Sequence, residues 1–158
     1  MNFFRRIHLS IAFGVLASVA YAADQKGPGG FILGSSFEEA QEHALGQEWE
    51  LVPTSEYLPG QWTVKGSNLS LFVCNGMVSS VYEKREGDLE EFAALVFSMQ
   101  FEFGEPDIQI LSFSSGAGDI STVDARFEKG DGGVTVQLQS LGGERTFSVN
   151  HWMGIECR

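Results

Sequence analysis

Cysteine, histidine and positive charge are all scarce in this chain, and each scarcity excludes something. The two cysteines, Cys74 and Cys157, belong to no C-x-x-C pair. No H-x-x-x-H pair exists either, so a zinc site built from Cys74, Cys157, His43 and His151 lacks the ligand spacing such sites use. A single disulfide is the better use of the pair; it would close a loop of about 80 residues and contribute ~4 kcal/mol in the chain-entropy model. Of the three histidines, His8 lies in the apolar N-terminal stretch, and His43 and His151 sit in no partner motif. His151 follows an alternating run beside Trp152, as a packed or edge histidine does. A G-x-S-x-G elbow is missing, and S-S-G-A-G at residues 114–118 reads as a flexible linker. Neither a D-x-D-x-D-G calcium loop nor a glycine-rich phosphate loop between strand and helix occurs. No catalytic residue, metal ligand or cofactor is therefore assigned. Ten Lys+Arg stand against 21 Asp+Glu, a formal net charge of −11. That balance disfavours nucleic acid and anionic lipid, which need clustered cations, and is compatible with a basic partner.

Only one long apolar run is present, and it reads as a secretory signal peptide over residues 1–22. Arg5 and Arg6 make its positive start, residues 9–19 its apolar centre, and Ala20-Tyr21-Ala22 its small-x-small cleavage site. The centre is too short to span a bilayer, and no later stretch is long and apolar enough to do so. The mature chain is expected to begin at Ala23 and to be soluble, in the periplasm or secreted. Losing Arg5 and Arg6 takes the formal charge from −11 to −13.

What remains is organised around residues 88–106, D-L-E-E-F-A-A-L-V-F-S-M-Q-F-E-F-G-E-P. Asp88 with Glu91 makes a capping box, and Gly104 and Pro106 end the helix. Leu89, Phe92, Val96, Met99 and Phe103 fall on one face at helical spacing, and Ala94, Leu95, Phe97 and Phe101 widen it. A helix this apolar is expected to lie across a large surface as a core element. A flexible lead-in over residues 23–30 precedes a shorter helix that opens with the same chemistry, Ser36 to Glu39, and is stopped by Gly46. Each helix is followed by strand-like runs: 48–52, 61–65 and the hairpin 69–82 around Asn75-Gly76 after the first, and 108–113, 122–128, 134–139 and 146–150 after the second. Straight alternation through the first hairpin puts Leu69, Leu71, Val73, Val78 and Tyr82 on one face and Phe72, Cys74, Met77 and Val81 on the other. Both faces are apolar, which predicts a hairpin covered on two sides. The expected fold is α+β, one domain over residues 31–158. It consists of two helix-plus-antiparallel-sheet half-repeats, about 31–83 and 84–158, packed as one unit with the helices on one face of the sheet.

F-I-L-G-S-S-F-E-E-A (residues 31–40), F-G-E-P-D (103–107) and D-A-R-F-E-K-G-D-G-G-V-T-V-Q-L (124–138) resemble segments of one superfamily of exported bacterial proteins. It comprises the beta-lactamase-inhibitor-like proteins and the small lipoproteins of outer-membrane assembly. This chain has no lipobox cysteine, and no residue role carries over position by position. The resemblance implies a tandem helix-plus-sheet module that works by binding proteins.

The functional expectation is an exported, non-enzymatic protein-binding module. An inhibitor of a secreted, cationic enzyme is the specific alternative, and a hydrolase whose scattered carboxylates converge is the alternative from another class. Candidate binding residues are Trp49, Tyr57, Trp62 and Trp152, because interface anchors are drawn from large aromatics. Tyr57 stands out, lying in P-T-S-E-Y-L-P-G (residues 53–60), a turn-rich loop with little core to reach.

Overall fold

The computed structural model describes residues 25–116 and 118–157, so the signal-peptide reading lies outside the described residues. Both helices begin where reciprocal caps are encoded. In α1 (Phe37–Gly46) the Ser36 hydroxyl accepts from the Glu39 amide, and the Glu39 carboxylate accepts from the Ser36 amide at 2.8 Å. In α2 (Leu89–Phe103) Asp88 and Glu91 make the same exchange. Each box satisfies amides that a helix start leaves without partners. Gly104 ends α2 at φ 85°. Gly46, by contrast, stays inside α1, and the positive φ falls two residues on at Glu48.

Among the described residues there are eight strands, four after each helix: β1 (Glu50–Pro53), β2 (Gln61–Lys65), β3 (Leu69–Cys74), β4 (Met77–Arg85), β5 (Asp107–Ser115), β6 (Gly118–Lys129), β7 (Gly132–Leu141) and β8 (Glu144–Met153). They form one antiparallel sheet in the order β1-β2-β3-β4-β8-β7-β6-β5. This overturns the expected fold of two helix-plus-sheet half-repeats with helices on one face. Strand dominates, the sheet is continuous, and its seam is the β4–β8 pairing from Ser80↔Trp152 to Arg85↔Phe147. Joining the two meanders satisfies two rows of backbone groups that separate sheets would have left as open edges. Nor do the helices roof the sheet. The 15 residues of α2 reach about 22 Å, against seven inter-strand steps, about 33 Å, across the sheet.

Two apolar clusters form the core. Phe31, Ala40, Ala44, Val64, Leu71 and Val81 pack around α1, with Trp49 and Trp62 at their margin. Phe92 and Val96 of α2 pack on Ala125, Phe127, Val136 and Phe147. Leu89, expected on the core face of α2, is exposed, as are Phe97 and Phe101. The apolar circumference of α2 is thus wider than the surface available to cover it. From Gln25 on, the glycine-rich lead-in is folded: Gly27 N–H donates to Phe31 O at 2.8 Å and Leu33 N–H to Gln25 O at 3.0 Å, and Gly34 N–H joins the segment to Val78 O of β4 at 2.8 Å.

The β3–β4 hairpin turns at Asn75 and Gly76, with φ 51° and 78°, as the Asn-Gly pair requires. Its facing differs from simple alternation because a bulge shifts the register between Phe72 and Val73. Leu71 therefore pairs with Val81 over the core, while Ser70 pairs with Tyr82 on the opposite face. Around Ser70 and Tyr82 that second face is open. Cys74, at the end of β3, is bonded to Cys157, with Cα atoms 5.3 Å apart and a separation of 83 positions in sequence. Among the described residues no helix is long and apolar enough to cross a membrane.

Candidate protein-docking face

Cross-strand register builds the open face row by row. Gln61, Phe72, Ser80 and Trp152 stand side by side, and the next row is Thr63, Ser70, Tyr82 and Asn150. Side chains directly opposite in an antiparallel pair point the same way, so these eight share one face. All of them but Trp152 floor an open depression of about 490 Å³, with hydroxyl and amide groups around Phe72 and Tyr82. Beyond it the rows continue to Gly133 and Thr135 of β7 and to Arg126 and Glu128 of β6. The missing side chain at Gly133 makes room for the Trp152 ring, which a Cβ there would meet at 2.8 Å. The Arg126 guanidinium lies 4.5 Å over that ring, and its Nε also donates to Glu128 at 3.1 Å. Asn150 Oδ1 is enclosed without a hydrogen-bond partner among the described residues. A buried acceptor of this kind is one that a water or a docked donor satisfies.

The loop between β1 and β2 stands at the rim. Thr54 Oγ1 bonds Thr63 Oγ1 at 3.0 Å, Tyr57 N–H donates to Ser55 Oγ at 3.2 Å, and Thr54 N–H donates to Gln61 O at 3.0 Å. Gly60, at φ 84°, brings its carbonyl within 2.7 Å of the Val73 amide, where a Cβ would meet Val73 O at 2.5 Å. The loop backbone is thus fixed at both ends, and its tip offers Tyr57, 81% exposed, with Leu58 at 46%.

The four candidate aromatics divide by face. Tyr57 and Trp152 belong to the loop and the open face. Trp62 packs on Phe37 of α1 at 4.3 Å and Trp49 stacks on Phe31 at 6.2 Å, both at the margin of the first core cluster. What residue type alone missed is the hydroxyl and amide floor, made by Gln61 and Thr63 of β2, Ser70 of β3, Ser80 of β4 and Asn150 of β8.

The shifted titratable groups lie elsewhere. Hydrogen bonds from Ser36, its backbone first, hold Glu39 below the usual carboxylate range, and those from the Glu91 side chain and the Glu90 amide do so for Asp88. His151 points to the core side, opposite Val81 and Val134, and burial lowers its pKa against the pull of Glu83 and Glu102. His43 Nε2–H donates to Gly29 O at 2.8 Å, and its ring sits edge-on to Phe31 at 4.9 Å. These commitments account for the two ionisable groups of a second cavity, about 580 Å³, between α1, Phe31, Met77, Met153 and Ile155. Among the described residues no group of three or more His, Cys, Asp or Glu is placed to hold a metal ion. Compared with known proteins, the chain matches no family model, no curated protein and no solved structure.

Proposed function

We propose that the protein is an exported, non-enzymatic module that binds another protein on the open sheet face, with Tyr57 as anchor. The observation that carries this reading is the fixed presentation of Tyr57: a large amphipathic ring, almost wholly exposed, on a loop whose backbone is hydrogen-bonded at both ends. Such a ring contributes contact area while little order remains to be imposed on binding. The floor beside it, hydroxyls and amides around Phe72 and Tyr82, has the character of an adaptable polar contact surface. Export is supported by the Ala20-Tyr21-Ala22 site and by the Cys74–Cys157 bond, since disulfides persist in oxidising compartments. A mature charge of −13 favours a basic partner, and the resemblance to exported binding proteins favours a protein one; a cationic secreted enzyme would satisfy both.

Affinity capture from an envelope extract tests this, with the processed protein and its Tyr57→Ala variant as baits, beside a hydrolase screen. A basic partner retained by the first, lost by the second and weakened by salt is the expected result. Turnover abolished by replacing one or two carboxylates, with no partner captured, would replace the binding reading by a hydrolase.

A further inference from the structure

The two edges of the sheet are built differently. At one end β1 is four residues long, closes on Pro53 and ties Glu50 to Lys65 at 3.1 Å. Short length, proline and charge are the means by which folded proteins keep an edge from pairing. At the other end β5 is nine residues long and pairs with β6 at nine successive positions, Asp107↔Arg126 to Ser115↔Gly118, without a register shift. Residues 108–115, I-Q-I-L-S-F-S-S, hold no proline, lysine or other charge, although the chain as a whole carries 21 acidic residues. All nine positions are exposed. Ile108 and Ile110 point to the core side, opposite Ala125 and Val123, and Leu111 and Phe113 to the docking side, opposite Thr122 and Ile120.

Helix α2 extends the patch. Its flank with Leu95 and Ser98 faces Arg85 and Phe147, on the β4–β8 side. Helical spacing therefore turns the flank of Ala93 and Phe97 toward β5. Phe97 and Phe101, 62% and 80% exposed, meet edge to face at 5.3 Å with nothing over them among the described residues. Counted over the two sides of the edge, Phe97, Phe101, Ile108 and Ile110 (71% exposed) on one and Leu111 and Phe113 on the other, on the order of 600 Å² of apolar side chain is open, taking ~150–200 Å² for a large side chain. A stable interface buries about 800 Å² per partner, and the β5 backbone supplies much of the difference.

We propose that β5 is the seam of a homodimer: β5 of one copy pairs antiparallel with β5 of a second, continuing the sheet across a two-fold axis. The self-complementary occupant follows from charge. Two molecules of net −13 can meet closely only where like charges are not opposed, and of the two sheet edges β5 is the one whose residues 108–115 carry no charge, β1 carrying Glu50. One two-fold operation also satisfies the outward-facing edge amides and carbonyls of residues 108–114 in both copies and buries the same apolar set twice. Because the remainder of each molecule repels the other, salt strengthens this association, the opposite sign from docking of a basic partner. The proposal thus stands apart from the docking reading, and either can fail alone.

The test is sedimentation velocity of the processed protein over a concentration series at low and moderate salt, beside Ile110→Lys and Tyr57→Ala. The expected result is a concentration-dependent dimer that tightens with salt, is unchanged in Tyr57→Ala, and is weakened about 100-fold or more in Ile110→Lys, where two like charges meet at the seam. Circular dichroism and thermal melts should show Ile110→Lys folded as the wild type, its side chain being exposed. Hydrogen exchange of the amides of residues 108–114 should slow as concentration rises. A monomer at every concentration, or a dimer indifferent to Ile110→Lys, would overturn the proposal. So would amides at 108–114 that gain protection only from a strand of a different protein.

Discussion

Removing the disulfide isolates a term that can be worked from the fold. Cys74 ends β3, near the middle of the sheet, and Cys157 lies four residues past the end of β8. Replacing both by alanine frees the unfolded chain from a closed loop spanning 83 positions, which in the chain-entropy model lowers stability by about 4–5 kcal/mol. Folded-state contacts add little. The β4–β8 ladder holds the two strands without the bond, and beyond it the tail is tied by Asn75 Nδ2 donating to Glu156 O at 2.7 Å and Gly154 N–H to Asp131 O at 2.6 Å. Those contacts lie beside the bond, so its removal lets residues 154–157 fray without opening the sheet. Guanidinium unfolding followed by circular dichroism should therefore show two changes in Cys74→Ala/Cys157→Ala. The midpoint should fall, and the m-value should rise because the unlinked unfolded chain exposes more surface. Intact-mass analysis after alkylation without reductant should find no reactive thiol in the wild type. A loss below ~1 kcal/mol with an unchanged m-value would refute the reasoning, since the unfolded chain would then not have been constrained by the bond.

Two further outcomes follow from the same sheet. Phe127, fully buried against Phe103 in the second cluster, should lose about 3–5 kcal/mol on Phe127→Ala, whereas Phe101→Ala at an exposed site should change monomer stability by less than ~0.5 kcal/mol; chemical denaturation at low concentration checks both. His151 is held neutral by burial, so its folded pKa lies below the unfolded value of about 6.5 and stability falls as pH drops through that value toward the folded one. Melting temperatures from pH 8 to 5 should show that fall in the wild type and a shallower one in His151→Gln. The caps at Glu39 and Asp88 act with the same sign in a more acid range: their stabilisation is present above their unfolded pKa values and is lost as pH falls toward the folded ones.

Local chemistry was readable because its partners lie close in sequence. Ser36 with Glu39, Asp88 with Glu91, and Asn75 with Gly76 each complete their hydrogen bonds or turn within a few residues, so type and spacing suffice. Alternation likewise marked the strands of the second meander. The facing of the first hairpin was not readable, because one extra residue in β4, Ser79, opposite the Phe72–Val73 step, reverses the side on which Val81 and Tyr82 emerge. The continuous sheet was hidden for a different reason: β4 and β8 meet across more than sixty residues, and nothing in either strand names its neighbour. Periodicity in α2 showed apolar side chains without showing what covers them, so Phe97 and Phe101 read as core. Aromatic type alone could not separate Trp62, against Phe37, from Trp152, beneath Arg126 on the open face. The loop around Tyr57 was legible because its prolines and glycine marked it as a turn, away from any core.

The strand order decides how the two proposed surfaces relate. The Tyr57 loop joins β1 to β2 at one margin of the sheet, and β5 is the opposite edge, seven strand spacings or about 33 Å away. A partner resting on Phe72, Tyr82 and the loop reaches the β4–β8 seam well before it reaches β5. Pairing of β5 with a second copy therefore leaves both docking faces free and sets them at the two ends of one extended sheet. Two such faces bind a target with repeated sites far more tightly than one, by raising the local concentration of the second contact. A target with a single site gains nothing from the pairing. Comparing capture by the wild type and by Ile110→Lys distinguishes these cases. A repeated target is released by the seam variant although its own contacts are intact, whereas a single-site target is held equally by both.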